Sequence, residues 1–231
     1  MTAATVALGL IWFAAFLFST TLHEAAHALV AWRLGDPTAY HGGQVSLNPI
    51  PHVRREPFGM VIVPLLSYFA SPNHWMFGWA SAPYDPTWAA RHPRRAGAMA
   101  LAGPVANLSL VVLSGIGIRI GIVTGAFEVP TDVTYGHLVE APGGGALGGL
   151  AALLSVFFSL NLILFLFNLL PLPPMDGSGV IQLLLPEEVS RRWQLTARQP
   201  LVGIIGILVA WRFFGYLLRP VFIIVLRLLL L

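Results

Sequence analysis

Cysteine and lysine are both missing from the 231-residue chain, and charged residues of any kind are scarce. The absence of cysteine excludes disulfide bonds and thiolate metal sites, so a metal ion here would need histidine and carboxylate ligands. Charged residues make up 10% of the chain, whereas soluble domains carry about 25%. This deficit, together with 56% hydrophobic residues, indicates an integral membrane protein in a lipid bilayer. The length fits a single domain over residues 1–231.

Four stretches are apolar and long enough to cross a bilayer as helices, which requires about 20 residues. They lie at about residues 3–33, 97–122, 147–170 and 200–226. Arg212, Arg219 and Pro220 interrupt the last stretch, which predicts either one span or a span followed by a short helix ending near residue 229. A fifth apolar run, 58–70, is too short to span and predicts a re-entrant or interfacial segment. The sequence therefore predicts an all-α polytopic membrane protein with about four to six transmembrane helices.

Arginine is unevenly distributed among the loops. The segments 33–95 and 191–198 contain six and three arginines, whereas the connection 123–146 has three carboxylates and no arginine. Because cytoplasmic loops accumulate Lys and Arg, the first two segments are predicted to lie inside the cell and the third outside. The first helix then ends on the cytoplasmic side of the cell membrane. The arginines border apolar runs, which is not the basic-groove pattern of a nucleic-acid-binding protein, so no nucleic-acid partner is expected.

Residues 43–49 resist assignment to a helix. Val45 and Leu47 alternate with Gln44, Ser46 and Asn48, between a Gly-Gly pair and a proline. Such alternation is typical of a short edge strand. An irregular polar loop explains the same five residues nearly as well. The segment between the first two core helices is therefore predicted to contain either a short membrane-associated β segment or a loop.

The stretch "TTLHEAAHALVAWRLGD", residues 20–36, places ionisable groups at the end of the first apolar run. On a helix His23 and His27 lie on one face, about 6 Å apart, where both imidazoles can bind one Zn²⁺. Glu24 lies about 100° further round the helix, beside such an ion, where it can act as a general base. The alternative is a pair of surface histidines, which would leave Glu24 buried at membrane depth without a partner.

A catalytic zinc site takes three protein ligands and an open position for water. Residues 141–175 contain no charged residue, and Asp176 follows directly in "NLLPLPPMDGSG". The helical rise is about 30 Å from Ala3 to His23 and about 27 Å from Leu150 to Asn168, which brings the two motifs to similar depth. The prolines before Asp176 predict a turn that swings its carboxylate toward the histidines. Alternatively Asp176 caps a helix over residues 178–185, and the two roles are compatible.

The two motifs together resemble the site-2 protease family, which are zinc intramembrane proteases. The segments "LNPIPH" (47–52), "FGWA" (77–80) and "LAGPVANL" (101–108) also resemble compact members of that family. The resemblance implies that His23, His27 and Asp176 are ligands of one catalytic Zn²⁺ and that Glu24 is the base. It also implies that Asn168 lies close to the metal and helps to hold the substrate carbonyl or its oxyanion.

The chain departs from the family pattern in the region of substrate access. Many compact relatives have an acidic residue soon after the histidine that corresponds to His52, but here His52 is followed by Val53, Arg54, Arg55 and only then Glu56. Ser81 occupies a position that is often lysine in the family. We expect a nearly bare catalytic core, without a PDZ-like domain or an additional N-terminal span.

The predicted function is hydrolysis of peptide bonds within or next to the transmembrane segments of other membrane proteins, most simply single-pass ones. A strand at Val45–Asn48, including Ser46 and Leu47, could bind an unwound substrate by strand addition, and His52 could line the entrance. Asn107 is either a support for the zinc ligands or an interhelical hydrogen-bonding residue. Two rival functions are a catalytically silent zinc-containing membrane module and a metal transporter. An intact Glu24 argues against the first, and the lack of repeats and of an ionisable path argues against the second.

Overall fold

The computed structural model describes residues 2–71 and 74–230, and within them regular structure is helical. The α-helices in chain order are α1 (Ala3–Arg33), α2 (Thr38–His41), α3 (Pro49–Arg55), α4 (Val63–Ala70), α5 (Pro86–Arg91), α6 (Pro93–Val123), α7 (Gly145–Asn168), α8 (Asp176–Val180), α9 (Glu187–Ala197) and α10 (Pro200–Leu230). A π-helical turn, Phe58–Ile62, leads into α4, and a 3₁₀ turn, Ile181–Leu183, follows α8.

The four long helices α1, α6, α7 and α10 confirm the predicted spans, since each is long and apolar enough to cross a membrane. α6 begins at Pro93, four residues before the predicted start, because proline suits the first turn of a helix. The α10 segment is one continuous helix, and Pro220 lies inside it. The four helices indicate an integral membrane protein.

Helices α1, α6 and α7 form the centre of the molecule. Trp12 and Phe16 of α1 pack against Val156 and Leu160 of α7. Phe158, on the same helix, joins a second cluster with residues of α6, and α10 reaches that cluster through Phe222. Most of the remaining surface of α10 is exposed and apolar, which suits contact with lipid.

The apolar segment 58–70 is helical and folds against the following chain. The backbone N–H of Trp79 donates to the carbonyl of Gly59 at 3.1 Å. A Cβ on Gly59 would lie 2.3 Å from the Trp79 carbonyl oxygen, so only glycine permits this approach. Thirteen helical residues extend about 20 Å, less than the roughly 30 Å of the hydrocarbon core. This segment is therefore too short to cross the membrane as a helix.

The strand considered for residues 44–48 is wrong, because this segment is an irregular loop. The Ser46 hydroxyl accepts a hydrogen bond from the backbone N–H of Asn48, and the Asn48 side chain accepts one from Ile50 as the N-cap of α3. These side chains compete with strand pairing for the backbone. In the described residues, β-type pairing is limited to two isolated bridges, Glu128 with Glu140 and Thr134 with His137.

Candidate metal centre

The histidines and the glutamate of the sequence motif lie in the C-terminal third of α1. His23, Glu24 and His27 are each only 6% exposed, because this part of α1 is packed against α6. The four-residue spacing directs both imidazoles to the same side of the helix, as the motif predicts. Their ring centroids are 4.6 Å apart.

Asp176 joins the two histidines, as the sequence predicts. Its Oδ2 atom lies 3.0 Å from His23 Nε2 and 3.3 Å from His27 Nε2, and the two Nε2 atoms are 3.0 Å apart. Four ligands at about 2.0–2.1 Å from a tetrahedral zinc ion would lie about 3.3 Å from one another. The three donor atoms therefore occupy close to one face of a zinc coordination tetrahedron.

The hydrogen bonds at the far side of each imidazole fix which nitrogen is free. His27 Nδ1 lies 2.7 Å from the Met99 carbonyl oxygen, which can only accept, so this Nδ1 carries a proton. His23 Nδ1 lies 2.5 Å from Asn107 Oδ1, which also accepts. In the neutral imidazoles both Nε2 atoms then carry lone pairs. Metal-binding histidines are held in this way in zinc proteins.

The free lone pairs provide a test of whether the residues fit a cation. Two imidazole nitrogens and the buried Asp176 Oδ2 converge, and this oxygen has no hydrogen-bond donor among the described residues. Three converging lone pairs repel one another unless a cation lies between them, and two imidazoles with a carboxylate are ligands that zinc accepts. His23, His27 and Asp176 can therefore hold one zinc ion.

The proline-rich turn before α8 positions Asp176. A Cβ on Gly177 would lie 2.3 Å from the carbonyl oxygens of Leu169 and Leu170, so the turn folds tightly onto the end of α7. On the other side, Gly206 of α10 approaches the Pro173 carbonyl oxygen so closely that a Cβ would lie 1.7 Å from it. Met175 is the N-cap residue of α8 and Asp176 is its first residue, so the carboxylate does not cap this helix.

The charge state of Asp176 suits a metal ligand. Burial alone raises the pKa of its carboxyl, but positive charge on the adjacent His27 and His23, when these imidazoles are protonated, outweighs burial and holds the pKa well below its usual range. A metal cation in place of those protons would stabilise the carboxylate in the same way, with both imidazoles neutral.

A cavity of about 260 Å³ opens beside these ligands. Its lining residues include Glu24, His27 and Asp176, together with Ser81, Tyr84 and Arg198. Glu24 thus borders the same cavity as His27 and Asp176, two of the three residues that could hold a metal ion. A water molecule or a peptide carbonyl in this cavity would meet both the metal centre and a carboxylate base.

Gly103 of α6 is a residue at the site to which sequence reasoning assigned no role. A Cβ at this position would lie 2.3 Å from His27 Nε2 and 2.5 Å from His23 Nε2. The α6 backbone therefore passes directly against the donor nitrogens, and only glycine leaves room for them. The signal in the sequence was the glycine in "LAGPVANL", since glycine in a span often marks close backbone approach.

The other predicted site residues lie at varying distances from this centre. Asn107 is fully buried and bonded to His23. Asn168 is the last residue of α7 and half-buried, and it is not among the residues that line the cavity. His52 is buried, with Nε2 3.0 Å from the Ser46 carbonyl.

The loop 44–48 approaches the cavity wall through a single side chain. Gln44 donates to the carbonyl of Ser81, a cavity residue, at 3.3 Å. Ser81 in turn donates to the Glu56 carboxylate at 2.6 Å. The predicted substrate residues Val45, Ser46, Leu47 and Asn48 follow Gln44 in the sequence but are not among the residues that line the cavity.

Two histidines and an aspartate that can hold zinc, with a glutamate beside them and between apolar helices long enough to span a membrane, are typical of a membrane zinc metalloprotease. Comparison with known sequences agrees. Residues 11–211 match the sequence model of peptidase family M50. The chain belongs to that family, the site-2 protease family of zinc metalloproteases. No solved structure matches the chain.

Two curated relatives illustrate the similarity. "Putative zinc metalloprotease YwhC" of Bacillus subtilis is 36% identical over 174 residues, which cover 75% of this chain and 68% of the relative. "Putative zinc metalloprotease Rip2" of Mycolicibacterium smegmatis is 31% identical over 181 residues, which cover 77% of this chain and 58% of the relative. The matched region is therefore little more than half of Rip2.

Proposed function

We propose that the protein is an intramembrane zinc endopeptidase that cleaves peptide bonds within or next to transmembrane segments of other membrane proteins. The observation that supports this most strongly is the shared cavity, in which the base Glu24 and the ligands His27 and Asp176 meet at the ends of membrane-spanning helices. A purely structural zinc site would need neither a cavity nor a base.

Glu24 acts as the general base and then as the general acid. Its carboxylate takes a proton from the attacking water and passes that proton to the leaving amine. A zinc ion bound by His23, His27 and Asp176 supplies Lewis-acid activation of water and carbonyl at neutral pH. Because the ligands are held by Asn107 and the Met99 carbonyl, they need little rearrangement during the reaction.

Asn168 stabilises the oxyanion in this proposal. It stands immediately before the proline-rich turn that carries Asp176, which supports a position near the reacting carbonyl. Its amide N–H groups are donors, and one such donor contributes a factor of about 10²–10³ to the rate in other hydrolases. Asn168 is not among the residues that line the cavity, so in this proposal its side chain moves toward the cavity when substrate binds.

The substrate enters along the wall formed by residues 80–84 and the adjoining loop. Val45, Ser46, Leu47, Asn48 and His52 are proposed to contact it there, supported by the link between Gln44 and Ser81. Leu47 is 57% exposed and so available for an apolar contact. The protein is proposed to lie in the cell membrane, and the arginine distribution supports a cavity that opens toward the cytoplasm.

The test is cleavage of a model single-pass substrate by the purified protein in detergent, with zinc content measured in the same samples. Glu24→Gln should retain zinc and lose cleavage by about 10²–10⁴-fold, the usual contribution of a general base. Glu128→Gln is the matched control, because Glu128 is exposed in the loop between α6 and α7 and should retain both. Equal cleavage by the wild type and Glu24→Gln would refute the proposed mechanism.

A further inference from the structure

A chain of buried polar side chains runs from α7 to the zinc ligand His23. Asn161 of α7 donates through Nδ2 to the Phe157 carbonyl at 2.8 Å and to the Ser19 hydroxyl at 2.9 Å. Its Oδ1 accepts from Asn107 Nδ2 at 2.8 Å, and Asn107 Oδ1 faces His23 Nδ1. The two asparagines and Ser19 are fully buried.

In this series of hydrogen-bonded side chains, the orientation of each amide is fixed by the preceding hydrogen-bond partner. The Phe157 carbonyl can only accept a hydrogen bond, so the Asn161 atom facing it must be the NH₂ group. The oxygen of Asn161 therefore faces Asn107, and Asn107 donates a hydrogen bond to it through its own NH₂ group. The oxygen of Asn107 then faces His23, whose Nδ1 must carry the proton.

We propose that Asn161 is a positioning residue of the zinc centre, which sets the tautomer of His23 through Asn107 and so keeps Nε2 free for the metal. Asn161 does not touch the ligand histidines itself. Its effect passes through a single amide, whose reversal would offer His23 an NH₂ group and move the imidazole proton to Nε2. This inference concerns zinc binding and does not require the proposed protease function.

The membrane location explains why an anchor for Asn107 is needed. Where water is present, a reversed amide finds other partners at little cost. Between α1, α6 and α7 the groups are buried at membrane depth, so each amide must satisfy its partners within the protein. Ser19 lies one turn before His23 on α1. Its hydrogen bond to Asn161 therefore connects the α7 end of this series of side chains to the helix that carries His23.

The first experiment measures zinc affinity and the His23 tautomer in Asn161→Leu, a variant of similar shape that removes both the oxygen and the NH₂ of the amide. Zinc affinity should fall by about 10–100-fold, the usual effect of losing an outer partner of a ligand histidine. In zinc-free protein with ¹⁵N-labelled histidine, the His23 signals, identified by their loss in His23→Ala, should shift from the Nδ1–H toward the Nε2–H form. Asn161→Ala serves as a second variant, so the result does not depend on one substitution folding well.

The control is Ser155→Ala, in the same helix. Ser155 is also fully buried, and its hydroxyl accepts from the backbone of Leu138 at 3.0 Å, but this contact does not lead to His23. Its loss should lower thermal stability while zinc affinity and the His23 tautomer stay unchanged. An equal loss of zinc affinity in Ser155→Ala and Asn161→Leu would assign the effect to general destabilisation and overturn the proposal.

A double-mutant cycle tests the route through Asn107. If Asn161 acts only through Asn107, then Asn107→Ala together with Asn161→Leu should bind zinc no more weakly than Asn107→Ala alone. Fully additive losses would overturn the proposal, as would an unchanged His23 tautomer in Asn161→Leu. Because no substrate is present, failure of the proposed protease function would leave these results unaffected.

Discussion

Two parts of the molecule bring histidine imidazoles against a carboxylate, at opposite ends of α7. At one end, His23 Nε2 lies 3.0 Å from Asp176, with side-chain exposures of 8% and 22%. In the loop before α7, His137 Nε2 lies 3.2 Å from Glu140, with exposures of 44% and 50%. The first group adds a second imidazole and converges on one point, whereas the second is a local pair three residues apart. Burial and convergence, more than residue type, define the metal centre.

The largest expected difference between the two regions is in metal content. His23→Ala removes one of the three proposed protein ligands, so zinc affinity should fall by more than about 100-fold, beyond the effect of an outer partner. His137→Ala should bind zinc as the wild type does. Metal analysis of the purified proteins after dialysis measures both. Retained zinc in His23→Ala, or lost zinc in His137→Ala, would contradict this contrast.

A pair of glycine substitutions compares crowding at the metal centre with open space elsewhere. In Gly103→Ala the new Cβ would collide with both donor nitrogens, so zinc affinity should fall at least tenfold and stability by about 1–3 kcal/mol. Gly148→Ala in α7 meets no heavy atom within 4 Å and should leave zinc binding unchanged. Zinc titration and thermal unfolding in detergent distinguish the two. Equal behaviour of the two variants would show that the α6 backbone does not crowd the ligands.

Acidification should release zinc through the histidines before the carboxylate. The pKa of Asp176 is lowered, so its stabilising charge is fully present above the ordinary carboxyl pKa and is lost only as the pH falls through the lowered value. Protons compete with the metal for imidazole nitrogens at much higher pH, because the ordinary pKa of an imidazole is about 6.5. Zinc affinity measured between about pH 7 and pH 5 should therefore fall. A flat profile over this range would exclude two imidazole ligands.

The smallest effect is expected for the exposed pair. Glu140→Gln removes an ion pair between two half-exposed side chains and should change the free energy of unfolding by no more than about 1 kcal/mol. Cleavage and zinc content should both be unchanged. A large loss of activity in this variant would mean that the loop between α6 and α7 contributes to the reaction, and the contrast between the two regions would fail.

Much of the metal centre could be predicted from sequence because its signals are local. The spacing of His23, Glu24 and His27 fixes one helix face, and the prolines before Asp176 indicate the turn that carries it. The sequence alternation at 44–48 did not distinguish a strand from a loop. The segment is a loop because the Ser46 and Asn48 side chains accept hydrogen bonds from the backbone N–H groups of Asn48 and Ile50.

Residues that act across helices were harder to predict. Asn161 lies among apolar residues of α7, and nothing in its neighbours shows that it faces Asn107 and Ser19. Its one signal was a polar amide in a span without charged residues, which needs a partner on another helix. Gly103 was similarly hidden, since its role depends on how closely α6 approaches the ends of the histidines.

The most direct test of the account is X-ray absorption at the zinc edge of the purified wild-type protein. His23, His27 and Asp176 as ligands predict scattering from two imidazoles and a carboxylate oxygen, at about 2.0–2.1 Å from one zinc ion. A spectrum with fewer than two imidazoles, or with an all-oxygen shell, would contradict the central claim.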